Sequence, residues 1–576
     1  MQHSRMEQHM LSRRLPSGSA AALGVLLAAY LVLAGWLAWH NRDQINTDGV
    51  SYIMVARHYA DGDWRLAVNG YWGPLLSWLL VPACRAGWDP LHAARLILVL
   101  VGGGLVTGVW YLCRRFDLVG VWRWATTAIA ALMVAVYSTQ LVTPDLMVAA
   151  LLLGYLLLVT SDGLLARRLW ALSCGLVGGL LYWTKAYGLP FFAVHFTVMV
   201  VLHALAGPRR AGWKTALSAW ACGVAGCAVL AVPWIVALST RYGYPTFSNS
   251  GRIAHSLIGP GKSCRQQPCD EGLWSPPEGR MAMWEDPSDL PYVFWSPLQS
   301  WAHLRCQVWN MRVGATVIAE VLLKRDTFCL RLAALGLLPV LIWPVRRRSG
   351  DSLRYLWLTA TIGIYVAGYL MVCNLDSRFY WPVTILLMML VMHLLLRLGG
   401  ALASQSDSIW SCRARSAVMI GVAVVSLAVP VGKEIVSELR SARPGAGIRR
   451  TAAVLREAGC VGPLASTEYE SGLHVAYHLD ASYLGKPVAS SVDVLAEELA
   501  RAGARSLLVW GDSPLADQVL GATFLEMADH VPAEDMEGLG RSLTVYRVKP
   551  TLAAEQGGCL QERWTLATPP EGREAY

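Results

Sequence analysis

The feature that most constrains this chain is a series of long apolar runs separated by short polar loops, and the first of them, 20–39, carries no charge. Crossing a hydrocarbon core takes ~20 apolar residues in a helix, which satisfies its own backbone hydrogen bonds away from water. Comparable runs stand near 93–113, 122–139, 146–165, 169–184, 189–206, 215–238, 329–345, 353–373, 379–397 and 416–432. They predict a polytopic α-helical membrane protein with about eleven transmembrane helices. Of the 576 residues, 55% are hydrophobic and 15% charged, which excludes a soluble multidomain protein. Many of the 25 Trp and 21 Tyr fall at the ends of runs, where amphipathic rings favour the headgroup region.

Orientation follows from the basic residues. Arg5, Arg13 and Arg14 precede the first run and no small-residue cleavage site follows it, so the expected start is an uncleaved anchor with a cytoplasmic N-terminus. Counting from there, Arg114 and Arg115, Arg167 and Arg168, Arg209 and Arg210 with Lys214, and Arg346, Arg347 and Arg348 all fall on the cytoplasmic side. The net charge of +9 is therefore read as topology, and no basic stripe points to nucleic acid. The run 73–83 is too short to cross and contains Pro74 and Pro82, so it is expected to lie on the outer surface. A long outer loop, 240–326, contains a two-faced stretch at 300–323; spanning there would put Arg305 and Arg312 in hydrocarbon.

Beyond 432 the apolar runs shorten. A helix near 449–458 alternates with strand-like pieces at 462–467, 506–509 and 542–548, which predicts a small α/β domain before a polar tail. The expected organisation is a membrane domain over 1–432 and an extracytoplasmic α/β domain over 433–576, in a cell (inner) membrane.

Given that topology, ionisable groups at the outer ends of spans mark function, because they are costly there. Four places qualify. Asp48 follows the first span in INTDGVSYIMVARHY (45–59), with Tyr52, Arg57 and His58 after it on a short helix. Asp145 ends STQLVTPD (138–145) and opens the fourth span, and Lys185 ends YWTK (182–185) and closes the fifth. Asp376 and Arg378 lie in NLDSRFY (374–380), ahead of Tyr380, between the ninth and tenth. Singly, each reads equally well as a snorkelling or capping group; together, on one face, they read as convergence on one outward cavity. Lys185 and Arg378 can hold a lipid phosphate, Arg by a fork and Lys as a point charge. One carboxylate can deprotonate an acceptor hydroxyl or amine, and a second can orient the acceptor or, with the first, hold a divalent metal whose identity two oxygen ligands do not fix. No cofactor is fixed by these residues.

Most of the 13 cysteines sit singly in apolar runs as small hydrophobes, and no metal cluster is implied. Cys264 and Cys269, in a polar loop, are a disulfide candidate if that loop faces an oxidising compartment. His474 and His478 stand four apart without a third ligand nearby and read as a helix face.

Five short motifs in order resemble the integral-membrane glycosyltransferases of the GT-C fold, particularly the branch of protein O-mannosyltransferases and lipid A aminoarabinose transferases. They are TDGVSYIMVA (47–56), TPDL (143–146), GGLLYWTK (178–185), PW (233–234) before RYG (241–243), and DSRFYWP (376–382). The resemblance implies inverting transfer of a sugar, a hexose or a pentose, from a polyprenyl-phosphate donor to a lipid, glycan or protein acceptor on the extracytoplasmic side. It implies Asp48 as base and Asp145 as its assistant or acceptor ligand. Lys185 and Arg378, helped by Arg57 and Tyr52, would bind the lipid phosphate, while Asp376, Tyr380 and His58 would line the acceptor cavity. One departure stands out: where the aminoarabinose transferases carry a Lys-Pro-Pro-Leu-like stretch, this chain has YWGPL (71–75), so the lysine is missing. Arg57, His58 and Arg65 are the substitutes at hand. The rival readings are a flippase of lipid-linked saccharides, which favours repeated halves and polar groups deep in several spans, and a scaffold that kept such a fold without activity.

Overall fold

In a computed structural model, residues 17–206, 212–261, 267–324, 350–372, 376–403, 409–441, 443–520, 522–531 and 542–549 are described. The chain divides into two compact units, one of Met1–Arg265 with Glu285–Gly445, the other of Gln266–Trp284 with Ala446–Tyr576.

The first unit is a helical membrane bundle. Its principal helices are α1 (Ser17–His40), α2 (Thr47–Asp61), α3 (Pro74–Arg85), α4 (Pro90–Leu112), α5 (Val121–Gln140), α6 (Asp145–Val159), α7 (Arg168–Thr184), α8 (Gly188–Ala206) and α9 (Trp213–Tyr242). After the outer loop come α10 (Trp301–Lys324), α11 (Gly350–Met371), α12 (Trp381–Ala403), α13 (Ile409–Ala423) and α14 (Val429–Arg440), the last two joined by a π-helical turn at Val424–Ala428. Among the described residues, seven helical segments are long and apolar enough to cross a membrane, and Asp145–Val159 and Leu356–Met371 are shorter apolar ones. The run expected at 329–345, with the arginines at 346–348, lies outside the described residues. The fourth run is shorter than its composition predicts: α6 stops at Val159, where Thr160 turns its hydroxyl back onto the Leu156 carbonyl at 2.6 Å. The two-faced stretch at 300–323 is one helix, α10, burying Gln307 and exposing Trp301 and Trp309.

Local chemistry sets the helix ends. Asp89 accepts a hydrogen bond from Leu91 N–H at 2.9 Å, and Pro90, in the first turn of α4, has no N–H to satisfy. Helices α7 and α9 approach backbone to backbone, since a Cβ on Gly175 would collide with the Gly223 carbonyl. Small residues of this kind let helices pack where no hydrophobic force drives them together. The last helix runs on through 432 to Arg440, and its compact unit closes at Gly445.

The second unit is α/β. Its six-stranded sheet has the order β1-β3-β2-β4-β6-β5, with β1 (Gly272–Leu273), β2 (Leu464–Ser466), β3 (Tyr483–Lys486), β4 (Ser506–Trp510), β5 (Leu525–Val531) and β6 (Leu543–Val548). Strands β3, β2 and β4 are parallel; β6 and β5 add antiparallel on one edge and β1 on the other. The three strand-like pieces read from the sequence are β2, β4 and β6, and the helix read near 449–458 is Ala446–Glu457. Leu484, Leu495, Leu499, Leu507 and Val509 form its core. The edge strand β1 comes from the outer loop: Gln266–Trp284 belongs to this unit, with Trp274 N–H donating to Leu484 O and Tyr483 N–H to Met281 O, both at 2.7 Å. Cys269 is buried here, its Sγ 3.8 Å from Asp270 Oδ1, while Cys264 lies outside the described residues.

Candidate active site

Two carboxylates occupy helix N-termini, where the backbone dipole favours negative charge. Asp48 is in the first turn of α2, and Asp145 is the first residue of α6, behind Pro144. Asn46 precedes α2 with an extended backbone, φ −112°, ψ 162°, and Gly62 closes it in the left-handed region at φ 80°. Lys185 leaves the end of α7 extended, its N–H donating to Leu181 O at 2.9 Å. Ahead of α12, a tight turn over Ser377–Tyr380 is capped by Asp376, whose side chain accepts from Arg378 N–H at 3.2 Å. Tyr365 fixes that turn by donating to Phe379 O at 3.0 Å.

These segments meet. Lys185 Nζ lies 2.5 Å from Asp145 Oδ1, and Arg378 Nη2 lies 2.6 Å from Asp48 Oδ2. Arg378 Nε lies 2.9 Å from Asp376 Oδ2 and 3.6 Å from Asp145 Oδ2, so one guanidinium serves three carboxylates. The Asp145 side chain is only 4% exposed, while Asp376, on the rim, is 43% exposed. Beneath Lys185 lies the Phe379 ring, its centroid 3.5 Å from Nζ, with the Tyr369 ring at 6.0 Å. A cation against an aromatic face is stabilised by about 0.5–2 kcal/mol, the more so as it is withdrawn from water. The sequence reading did not single out Phe379, although it sits inside the motif between Arg378 and Tyr380.

Tyr52 is buried one helical turn from Asp48, its ring 5.1 Å from that of Trp72. Burial first, then the Asp145 and Asp48 charges, hold its hydroxyl well above the usual tyrosine range, so it keeps its proton beside them. Tyr380 is fully buried, its ring 5.9 Å from that of Tyr369. Arg57 and His58 stand apart from the cluster. At 1.5 Å per residue they lie about 14 and about 15 Å along α2 from Asp48. Arg57 Nη1 is 3.6 Å from Met54 Sδ, and His58 Nε2 is 2.9 Å from Glu285 Oε2 in a buried pair. Asn69 Nδ2 donates to the Glu285 carbonyl at 2.5 Å, so His58 ties the outer loop to α2. Among the described residues, no group of three or more His, Cys, Asp or Glu side chains is placed to hold a metal ion.

No protein-family model and no curated protein matches the chain. Solved structures do. ArnT from Cupriavidus metallidurans bound to undecaprenyl phosphate superposes with a TM-score of 0.53 at 15% identity, over 92% of this chain and 98% of that one. The archaeal oligosaccharyltransferase AglB from Archaeoglobus fulgidus, in complex with an inhibitory peptide and a dolichol-phosphate, superposes with a TM-score of 0.51 at 11% identity, over 84% of this chain and 69% of that one. The chain has the GT-C fold. The expectation drawn from five short motifs therefore holds at the level of fold, and the chain is a multi-pass membrane protein of GT-C architecture with a small α/β unit. The charged cluster sits at the helix ends of that GT-C bundle, in four of the five motifs that carried the resemblance.

Proposed function

We propose that this GT-C protein transfers a sugar from a polyprenyl-phosphate donor to an acceptor on the extracytoplasmic face, with inversion at the anomeric carbon. The observation that carries the reading is the convergence of Asp48, Asp145, Lys185 and Arg378 from four separate stretches. It is supported by the fold shared with ArnT bound to undecaprenyl phosphate. In this reading Lys185 and Arg378 bind the phosphate, the guanidinium offering a fork and the ammonium a point charge. An acceptor hydroxyl or amine attacks the anomeric carbon from the face opposite the phosphate. The carbon–oxygen bond to the phosphate breaks and its electron pair leaves on the phosphate oxygen, where the two cations meet the growing charge. Asp48 takes the acceptor proton, Asp145 orients the acceptor and the Lys185 ammonium, and Tyr52 donates a hydrogen bond without ionising. Arg57 and His58, about 14 and about 15 Å along α2 from Asp48, take no part in this proton transfer.

Asp48→Asn tests the assignment, because the two side chains are nearly isosteric and only charge and basicity are lost. Reconstituted with an undecaprenyl-phosphate-linked hexose, the variant is expected to fold normally and to lose about 10²–10⁴-fold in turnover. Full turnover by folded Asp48→Asn removes Asp48 as the base, and movement of labelled donor across the bilayer with its headgroup intact favours a flippase instead.

A further inference from the structure

Arg95 is a charge inside an apolar helix with no role in the site described so far. It lies in the second turn of α4 and is 3% exposed. Its Nη1 donates to Thr139 O at 2.6 Å and its Nη2 to Gln44 O. Thr139 lies in the last turn of α5, six residues ahead of Asp145, and Gln44 is four residues ahead of Asp48. One guanidinium thus bridges the segments that lead into the two carboxylate-bearing helices. The Glu438 and Asp43 carboxylates act favourably on its charge, and Glu438 also accepts from Asn41 Nδ2.

A second tie lies closer to the carboxylates. Asn46 Oδ1 accepts from Val142 N–H at 2.9 Å, joining the residue before α2 to the loop before α6. Gly49 then brings the α2 backbone against the same loop: a Cβ there would stand 2.9 Å from Val142 Cβ and 3.2 Å from Val142 O. The two entry segments are therefore pinned at three successive levels, 44 to 139, 46 to 142 and 49 to 142.

We propose that Arg95 and Asn46 are positioning residues of the transfer site, setting the separation of the Asp48 and Asp145 carboxylates by splicing the two segments that enter α2 and α6. This rests on the roles assigned to those carboxylates above. Buried charges at membrane depth are costly and survive where they are paired and useful. The fork geometry matters, because a lysine ammonium cannot span two carbonyls on separate segments in the same fixed plane. Misplacement of a reacting group by about 1 Å costs about 10²-fold in rate. Loosening the splice should therefore lower kcat while leaving the phosphate cations, and donor KM, in place.

The test uses the full-length protein in liposomes with an undecaprenyl-phosphate-linked hexose, alongside thermal shift by undecaprenyl phosphate as a binding readout free of chemistry. Arg95→Met and Asn46→Ala are expected to lose roughly tenfold or more in kcat, with KM and the undecaprenyl phosphate shift retained and Arg95→Lys recovering part of the rate. If Arg95→Met fails to fold, Asn46→Ala carries the test. Wild-type kcat in folded Asn46→Ala and Arg95→Met, with Asp48→Asn inactive, overturns the positioning role alone. Loss of lipid binding in parallel with rate also overturns it, since that is the mark of general unfolding. A wild-type protein that releases no sugar overturns the proposed function and this inference with it.

Discussion

Replacing Lys185 with methionine removes the ammonium and keeps most of the side-chain volume, so it isolates what the charge does for Asp145. The carboxylate is 4% exposed and would lose a partner at 2.5 Å, keeping Arg378 Nε at 3.6 Å on its other oxygen. Removing one member of a buried ion pair costs about 3–5 kcal/mol, and the remaining guanidinium puts this case near the lower end, about 3 kcal/mol. Asp145→Asn costs less, because the Lys185 side chain is 24% exposed and retains the Phe379 face. The double variant removes both charges and should be less destabilised than the two losses summed, by roughly 2 kcal/mol of coupling. Thermal unfolding in detergent reads all three. At about 2.1 cal/mol/K of unfolding entropy per residue, a chain of this size shifts by roughly 1 °C per kcal/mol, so Lys185→Met should melt about 2–3 °C below wild type. Strictly additive losses, or a Lys185→Met midpoint equal to wild type, would refute the argument that Asp145 is held as a buried anion by this lysine.

Two further outcomes are expected from other parts of the molecule. Gly49→Ala places a methyl against Val142 and Asn46 Oδ1, both at 2.9 Å, and should cost about 1–3 kcal/mol as overpacking; a rise or no change in the melting midpoint would contradict the tight approach. In the α/β unit, burial first and the neighbouring His478 second push His474 down to about 4 from an ordinary 6.5. The unfolded chain therefore takes up a proton that the folded unit refuses, and the stability present above pH 6.5 is lost as pH falls toward 4. Hydrogen-exchange protection across Tyr469–Leu479 in the full-length protein, taken relative to the intrinsic exchange rate at each pH, should fall between pH 7 and 5, less so in His474→Gln; equal protection at both pH values in the wild type would sink this.

The bundle was legible because lipid demands uninterrupted apolar helix. The charged cluster was legible because ionisable groups at the ends of spans are costly and few, which picked out Asp48, Asp145, Lys185 and Arg378 before any distance was known. Arg57 and His58 were read with them because they share a helix, and helical rise carries them away. The role of Gln266–Trp284 left no trace in composition, since a two-residue edge strand is made by its partner and not by its own sequence. Arg95 did leave a trace, a lone charge within the apolar run 93–113, but its carbonyl partners lie 51 and 44 residues away and no local pattern names them.

Arg378 divided among three carboxylates has a consequence for turnover. Three negative and two positive charges already satisfy one another here, so an incoming phosphate gains a grip only by drawing Arg378 and Lys185 off partners they hold. A donor diester bears one negative charge; the monoester left after transfer bears about −1.5 to −2 at neutral pH. The exchange therefore favours the spent carrier over the loaded one, and on the proposed reading the released lipid phosphate competes with fresh donor for the same two cations.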